Sequence, residues 1–259
     1  MPGRTWDTDA PGDTARLAGN ATALVQQFRT DAAPRHKPTL ATVCDWHRRL
    51  YDGCSVLSDA YRGGLRGDTS RPDLVGYEVG VGPMQPDGLP EKVGVWSREV
   101  QAALTGLFSQ LSQALPVLDA RFPVGTRPVT VDELAAVIGF IAAVHGEWIR
   151  IHPFANGNGR AARLLAAFLA LRYGLPVFVI VKPRPDDVGY VRAGRAAMGR
   201  PPAFAGDHTQ TQNVFTHLLV LARAPVQGRA AMAVPDALPL LRRSQESADD
   251  TAAAAALAG

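Results

Sequence analysis

The segment from about residue 130 to 150 constrains the fold most strongly, because its helical pattern is apolar on more than one side. Thr130 and Glu133 have the spacing of a capping box, in which the two side chains satisfy the first free amides of a helix. A helix that is apolar around most of its surface has to be covered by other elements. The sequence therefore predicts a central, buried helix from Thr130 to about Arg150.

Helical spacing of apolar residues recurs along most of the remaining chain. It predicts helices over 13–30, 39–51, 97–118, 159–173, 186–198 and 209–221, and a short helical piece near 55–61. Gly174 is predicted to end the helix that begins at 159, because glycine accepts the left-handed conformation found beyond helix ends. Residues 74–81 alternate in polarity and are the one candidate for a short strand or hairpin. We therefore expect an all-α bundle with a short β-hairpin.

The length of 259 residues and the hydrophobic content of 46% allow one sizeable core. We expect a disordered N-terminus over 1–12, N-terminal helices packed on the core over 13–59, a core domain over 60–222, and a partly disordered C-terminal tail over 223–259. The first stretch is rich in Pro, Gly and Asp, and the last is rich in Ala. One principal domain is the expectation.

The charge pattern argues against two kinds of partner. The 27 basic and 24 acidic residues are interspersed, with no Lys/Arg block of the kind that marks a nucleic-acid arm, so we expect no nucleic-acid partner. The N-terminus has no apolar stretch after its charges, and no run of about 18 apolar residues occurs. We expect a soluble, cytoplasmic protein without a membrane partner.

Residues 152–163, His-Pro-Phe-Ala-Asn-Gly-Asn-Gly-Arg-Ala-Ala-Arg, form a glycine-rich turn between two predicted helices. Gly157 and Gly159 let successive N–H groups converge on a phosphate, and Asn158 offers a side-chain amide. The first N–H groups of a helix attract anions as well. His152 precedes the turn, and its ordinary pKa near 6.5 lets it accept a proton at neutral pH. The pattern predicts a phosphate site beside a base.

Arg160 and Arg163 lie three residues apart on the outgoing helix, so both guanidinium groups can reach one ligand. Two cations in a first helical turn oppose the helix dipole, which makes sense if an anion normally occupies the site. A base beside a polyphosphate predicts phosphoryl or nucleotidyl transfer to a hydroxyl group. Taken singly, each feature is more often structural: a packed histidine, a turn or surface charge.

Other residues near the motif are interpreted as structural. Phe154 is predicted to anchor the loop in the core, and His145, one heptad before His152, is predicted to pack between helices. A basic cluster beside Tyr190 is interpreted as solvated surface charge rather than as contacts to a target or nucleotide. It consists of Lys182, Arg184, Arg192 and Arg195.

Residues 152–163 resemble the Fic motif, His-x-Phe-x-(Asp/Glu)-Gly-Asn-Gly-Arg-x-x-Arg, at every specified position but one. The surrounding helices and Tyr190 are similar to the Fic core from roughly 60 to 222. The Gly- and Pro-rich stretch 74–90 falls where Fic proteins carry the flap, a hairpin that docks the target segment. The resemblance implies a Fic-type helical bundle that transfers AMP from ATP to a Ser, Thr or Tyr hydroxyl of a target protein docked near 74–90.

The same resemblance implies a role for each motif residue. His152 would be the general base that deprotonates the target hydroxyl for attack on the α-phosphate. The nucleotide phosphates would be held by Gly157, Asn158 and Gly159 as an anion hole, with Arg160 and Arg163 on the β and γ phosphates. Doc-like phosphotransferases have Ala and Lys in place of the two glycines, so the glycines favour nucleotidyl transfer.

Asn156 stands where the family usually has an acidic residue that binds Mg²⁺. An amide oxygen can ligate this ion but lacks the charge, and one unit pair at about 4 Å contributes roughly 4 kcal/mol at an effective dielectric constant of 20. The bound phosphates carry most of the anionic charge, so we expect Mg²⁺ at a weakened or ATP-dependent site. Two alternatives stay open: a nucleotide-binding Fic-like interaction protein with little activity, or transfer from a different donor or to a small-molecule acceptor.

Many Fic proteins are restrained by an inhibitory helix with the pattern (Ser/Thr)-x-x-x-Glu-(Gly/Asn). No glutamate of this chain has Ser or Thr four residues before it, so self-inhibition of that type is not expected. Either an antitoxin-like inhibitor restrains a toxin-like enzyme, or low intrinsic activity makes restraint unnecessary. The sequence leaves a homodimer open.

Overall fold

The computed structural model describes residues 9–32, 35–185 and 188–223. Over these residues the chain forms seven α-helices and no strand, which confirms the all-α prediction. The helices are α1 (Thr14–Asp31), α2 (Leu40–Leu50), α3 (Val100–Arg121), α4 (Val131–Ile151), α5 (Asn158–Arg172), α6 (Val188–Met198) and α7 (Thr209–Arg223). Single 3-10 turns lie at Pro11–Asp13, Asp59–Tyr61 and Ser97–Glu99. Each predicted helix is present, with its ends shifted by a few residues.

The central helix is α4, which packs against α3, α5, α6 and α7. The Thr130 hydroxyl accepts from the N–H of Glu133, and the Glu133 carboxylate accepts from the N–H of Thr130, so the predicted capping box is confirmed. By length and composition alone α4 could cross a membrane, and 61% of its apolar window is buried inside the protein. The prediction of a central, buried helix is therefore confirmed.

The predicted packing role of His145 on α4 is also confirmed. This residue is buried, its Nε2 lies 3.0 Å from the Tyr190 hydroxyl, and its ring packs edge-on against Phe215 of α7 at a centroid distance of 4.9 Å. It therefore joins α4 to α6 and α7.

The N-terminal helices α1 and α2 also pack against α5. Phe168 of α5 packs against Phe28 of α1 and Trp46 of α2, with ring centroids 5.4 and 5.2 Å apart. Gly174 follows the end of α5 with φ of 67°, which confirms its predicted role at the C-terminal end of this helix. The C-terminal end of α5 is therefore fixed by packing and by the turn at Gly174, and its N-terminal end is fixed by the motif loop.

The segment from 62 to 96 has no helix and no strand. The strand predicted over 74–81 is absent, and the flap hairpin is not formed by paired strands. Residues 82–91 turn back on themselves through an isolated antiparallel bridge between Met84 and Pro90 and a few backbone hydrogen bonds, such as that from the N–H of Gly82 to the carbonyl oxygen of Glu91. The hydrogen bonds explain the difference, because the carbonyl oxygen of Tyr77 accepts from the buried side chain of Arg66 instead of from a neighbouring strand. Side chains from within the fold hold this segment in place.

The predicted division into N-terminal part, core domain and tail stays a prediction. The tail falls outside the described residues from 224 onward, as does most of the N-terminal stretch, of which 1–8 are outside. Asp9 and Ala10 of that stretch are described. Asp9 lies against α5, where it contributes to the candidate site.

Candidate functional site

The motif residues form the loop between α4 and α5. His152 follows the last residue of α4 with φ of 53°, and Gly157 precedes the first residue of α5 with φ of 78°. The loop lies on the wall of a cavity of about 410 Å³. The lining residues are Asp9, His152, Asn156, Gly157, Asn158, Gly159, Arg160, Arg163, Lys182, Pro183 and Arg184. The structure thus brings all of the site residues that the sequence predicted to one cavity.

The histidine of the motif is neutral and has a defined tautomer. Nδ1 of His152 lies 3.2 Å from the carbonyl oxygen of Ile149, and because that oxygen can only accept, Nδ1 carries the hydrogen. Burial, followed by the nearby charge of Arg66 and with a smaller effect of Lys92, lowers the pKa of His152 to about 3 against the opposing effect of the hydrogen bond to Ile149. Nε2 therefore keeps its lone pair and is the atom that can accept a proton.

Arg66 holds the end of α4 that carries His152. Its guanidinium group is fully buried and uses all of its N–H groups. Its acceptors are the carboxylate of Glu78 and the carbonyl oxygens of Tyr77, Val95, Ile151 and His152. Arg66 was not predicted as a site residue, because an arginine in a glycine-rich segment carries no pattern that marks it as buried. Arg66 connects the irregular segment 62–96 to the candidate base.

Asn158 fixes the shape of the motif loop. Its side chain is buried, and its Oδ1 accepts from the N–H of Phe154 while its Nδ2 donates to the carbonyl oxygen of the same residue, both at 2.8 Å. This amide was predicted to donate to a phosphate, but in the structure it donates to the backbone instead. The group that Asn158 can offer to a ligand is therefore its own N–H.

A second anchor comes from α2. Nε2 of His47 donates to the carbonyl oxygen of Asn156 at 3.0 Å, while Nδ1 accepts from the N–H of Gly63 at 3.0 Å. The ring of Phe154 is fully buried and stacks on His47 with centroids 3.8 Å apart, which confirms its anchoring role. The contact of His47 with the motif loop was not predicted, because the two are 109 residues apart in sequence.

The first turn of α5 faces the cavity through its backbone. Gly157 precedes α5 and has no side chain that could cap it, so among the described residues the first N–H groups of α5, from Asn158 onward, remain available to an anion. A Cβ at position 157 would lie 2.7 Å from Tyr51 and 2.9 Å from Nε2 of His47, and the φ of 78° disfavours any side chain. Gly157 therefore meets two requirements, the turn and the close approach of α2.

The two motif arginines have different surroundings. Nη1 and Nη2 of Arg160 lie 2.5 and 2.9 Å from the carboxylate oxygens of Asp9. Arg163 is buried, and its Nε and Nη2 donate to the carbonyl oxygen of Val181 at 3.0 and 2.9 Å while its Nη1 donates to the Tyr190 hydroxyl at 3.1 Å. Arg160 is placed to contact an anion in the cavity, whereas Arg163 fixes the position of the segment that starts at Val181.

That segment brings two further cations to the cavity. The side chain of Lys182 is only 18% exposed and its Nζ lies 3.5 Å from Oδ2 of Asp9, so its interpretation as solvated surface was wrong. Arg184 is exposed but lines the same cavity, while Arg192 and Arg195 are exposed on α6. Lys182 was missed because its place depends on the bond between Arg163 and Val181, and such a contact leaves no local signal.

The resemblance implies Mg²⁺, which requires oxygen ligands in a near-octahedral arrangement. Oδ1 of Asn156 accepts from the N–H of Gly157 at 2.6 Å, and its Nδ2 is buried without a hydrogen-bond partner among the described residues. The carboxylate that lines the cavity, that of Asp9, is bound by Arg160 and Lys182. Within the described residues no three His, Cys, Asp or Glu side chains are grouped to hold a metal ion. These ligands do not fit a protein-held Mg²⁺ ion.

The fold and the cavity define a class of protein: a helical bundle with a neutral histidine, helix N-terminal amides and several Lys and Arg side chains around one anion-binding cavity. A family model described as Fic/DOC family matches residues 37–170, just over half of the chain. The chain belongs to the Fic/DOC family.

Relatives and a solved structure agree with this assignment. The chain is 32% identical over 107 residues to a protein adenylyltransferase Fic of Aedes aegypti, covering 40% of this chain and 21% of that protein. It is 37% identical over 70 residues to the protein of the same name from Nematostella vectensis, covering 27% and 16%. The chain therefore spans about a fifth or less of these relatives' length.

A crystal structure of a Fic domain-containing signaling protein from Bacteroides thetaiotaomicron shares the fold. It superposes with a TM-score of 0.53 at 18% identity, covering 94% of this chain and 76% of that one. At this identity the likeness concerns the fold alone.

Proposed function

We propose that this protein is a nucleotidyltransferase that moves AMP from ATP to a Ser, Thr or Tyr hydroxyl of a target protein. The observation that carries the proposal is the lone pair on Nε2 of His152, held at the edge of a cavity lined by the first turn of α5 and by Arg160. The names of the relatives, protein adenylyltransferase Fic, support the same chemistry.

In the proposed reaction the target hydroxyl oxygen attacks the α-phosphorus of ATP. The new bond joins that oxygen to phosphorus, the bond between the α-phosphorus and the bridging oxygen of the β-phosphate breaks, and pyrophosphate leaves. The hydroxyl proton goes to Nε2 of His152. The anionic nucleotide raises the pKa of the imidazole from its low value, because an opposite charge nearby favours the protonated form. The first amides of α5 and Arg160 hold the phosphates.

The test compares wild type with His152→Ala and with His36→Ala, a matched change at an exposed histidine. Each protein is incubated with Mg²⁺, cell lysate and ATP that carries radioactive phosphorus at either the α or the γ position. We expect α-label on protein bands with wild type and His36→Ala, none with His152→Ala, and no γ-label with any of them. Intact-mass analysis of the protein itself should show whole AMP increments where self-modification occurs.

Two results would contradict the proposal. The first is an absence of α-label transfer by a wild-type protein that binds ATP, because donor and base would then be present without the reaction. The second is transfer of the γ-label, which would assign phosphotransfer. A panel of other nucleotides and small-molecule acceptors tests whether the same chemistry uses a different donor or acceptor.

A second candidate is a nucleotide-binding interaction protein with little catalytic activity. The position of the Asn156 side chain favours it, because Oδ1 is used by the N–H of Gly157 and no carboxylate stands at this position. Asn156→Asp separates the two candidates, with Asn213→Asp on the exposed face of α7 as the control. A slow enzyme should gain transfer activity from Asn156→Asp, whereas a binding protein should still give no detectable label.

The partners that fit this activity are proposals as well. A target protein would dock near 74–90, where Val81 and Met84 are exposed apolar residues. An antitoxin-like inhibitor, a cytoplasmic location and a homodimer are consistent with the proposal. A cross-linker attached near Met84 would test the docking site, because it should capture a labelled target protein.

A further inference from the structure

The cavity carries more positive than negative side chains. Arg160, Arg163, Lys182 and Arg184 line it, and Asp9 is the one acidic residue in its described lining. The remaining titratable group, His152, is neutral because its pKa is lowered to about 3. Such an excess of cations complements a polyphosphate directly, since guanidinium and ammonium groups form charge-assisted hydrogen bonds with phosphate oxygens.

Two of these cations, Arg160 and Lys182, contact the same carboxylate group. The carboxylate of Asp9 receives both terminal nitrogens of Arg160, at 2.5 and 2.9 Å, and its Oδ2 lies 3.5 Å from Nζ of Lys182. The side chains of Arg160 and Lys182 are only 12% and 18% exposed, so the pair is largely withdrawn from solvent. An anionic oxygen group thus already sits between them, bound in the two-pronged manner by which arginine also binds phosphate.

The position of Lys182 is built into the fold. Arg163 binds the carbonyl oxygen of Val181 with two nitrogens, which fixes the backbone immediately before Lys182. Arg163 is itself positioned by the Tyr190 hydroxyl of α6. The second arginine of the motif therefore positions a lysine that can contact the phosphates, in addition to lining the cavity itself.

The ligands for a metal ion are missing at the same place. Asn156 turns Oδ1 toward the N–H of Gly157, and Asp9 is bound by cations. The function that Mg²⁺ commonly has beside a nucleotide is to neutralise phosphate charge. Arg160 and Lys182 supply two positive charges for this purpose.

From these contacts we infer that Arg160 and Lys182 form a phosphate subsite that needs no divalent cation, and that the Asp9 carboxylate is its internal occupant, which a nucleoside polyphosphate displaces. The inference rests on the proposed function for the identity of the donor as ATP. Inorganic tripolyphosphate shares the recognised chemistry and binds the same subsite. Asp9 accordingly weakens the binding of both.

The test is titration calorimetry with ATP and, separately, with tripolyphosphate, each in buffer with EDTA and in buffer with excess MgCl₂. The proteins are wild type, Lys182→Met, Lys182→Arg and Asp9→Asn. The controls are Arg192→Met, an exposed cation on α6, and Asp31→Asn at the far end of α1. Thermal melting establishes that each variant is folded.

In EDTA we expect wild type to bind both ligands with a Kd within about threefold of its value in MgCl₂, since charge-assisted bonds supply the binding. Lys182→Met should weaken binding in EDTA by about tenfold or more, Lys182→Arg should stay close to wild type, and Asp9→Asn should tighten binding about threefold to tenfold. Both control variants should match wild type.

Binding that disappears in EDTA and returns with MgCl₂ would overturn the inference, as would a folded Lys182→Met protein that binds like wild type. Failure of Asp9→Asn to bind either ligand more tightly than wild type would remove the role given to Asp9. These outcomes are separate from those of the proposed function. If the ligands bind as expected but no AMP is transferred, the proposed function is wrong and the proposed subsite stands. If AMP is transferred but binding strictly requires Mg²⁺, the proposed function stands and the proposed subsite is wrong.

Discussion

The Nε atom of Arg66 lies 2.7 Å from the carbonyl oxygen of His152. The bond brings a guanidinium group to the C-terminal end of α4, where the helix has carbonyl groups without intrahelical donors and a partial negative charge. The same positive charge also helps to lower the pKa of His152. A single buried side chain therefore influences both the position and the protonation state of the candidate base.

Arg66→Lys should destabilise the protein strongly. Lysine keeps the charge, but its three donors on one atom cannot reach acceptors that surround a planar fork. We expect the free energy of unfolding by urea to fall by about 3 kcal/mol, because several buried carbonyl groups lose their donors. Arg98→Lys, at a side chain that is 80% exposed, is the matched control and should be close to neutral. Equal stability of the two variants would rule out this role for Arg66.

Gly157→Ala should lower the free energy of unfolding for two reasons. The same substitution at a second glycine, Gly88, separates them. Gly157 and Gly88 have similar φ values of 78° and 76°, but a Cβ at 157 would meet Tyr51 at 2.7 Å, whereas a Cβ at 88 would meet nothing within 4 Å. The left-handed conformation costs about 1 kcal/mol in both variants, and the overpacking costs about 2 kcal/mol more at 157 alone. Denaturant unfolding of both variants measures the difference. A loss at 157 no larger than that at 88 would show that α2 can move away.

Asn158→Asp tests the hydrogen bonds by which Asn158 holds the motif loop. The replacement is isosteric, but it removes the Nδ2 donor and sets a carboxylate oxygen against the carbonyl oxygen of Phe154 in a buried place. We expect a loss of about 3 kcal/mol near neutral pH, and a smaller loss in acid, where the protonated carboxyl group can donate again. Asn213→Asp on the exposed face of α7 should be neutral at both pH values. A loss that does not change with pH would contradict the explanation by the lost donor.

Acid should weaken the fold through three histidines whose pKa is lowered in the folded protein. Burial is the main cause that lowers the pKa of His47, His145 and His152 to about 3. Below the unfolded value near 6.5 the unfolded chain binds protons that the folded chain does not, so stability is complete above that pH and declines as the pH falls toward 3. Each histidine contributes a slope of up to about 1.4 kcal/mol per pH unit.

His47→Gln isolates one of these slopes, because glutamine offers a donor and an acceptor but does not titrate. The free energy of unfolding of this variant should fall less steeply than that of wild type between about pH 6 and pH 4. His36→Gln, at an exposed histidine, should keep the wild-type slope. A wild-type slope in His47→Gln would mean that His47 is protonated in the folded protein, contrary to the hydrogen bond it accepts from Gly63.

The helices could be predicted because their signals are local. The capping box at Thr130 and Glu133 and the glycine at 174 mark helix ends within a few residues, and the apolar spacing marks the helices themselves. The motif loop was predictable for the same reason, since its glycines and charges are contiguous. The prediction of a strand over 74–81 was wrong, because alternating polarity indicates a strand only where a neighbouring strand is available.

The supports of the site could not be predicted from the sequence. Arg66 reaches His152 across 86 residues, His47 reaches Asn156 across 109, and Asp9 reaches Arg160 across 151. No periodicity or motif links such pairs, and a single sequence gives no information on which distant residues meet. Each of the three looked like an ordinary surface or packing residue, and one of them fell in a stretch that was expected to be disordered.

The anchoring of Arg163 on Val181 and Tyr190 also sets an order of events during synthesis. A ribosome makes the whole 152–163 motif before it reaches either of these acceptors, so a nascent chain that ends near residue 175 contains every motif residue but lacks one wall of the cavity. Domains generally fold as units once their sequence has emerged. The cavity therefore cannot be complete until Tyr190 has been made, and a chain that terminates between the motif and Val181 carries the motif without this wall.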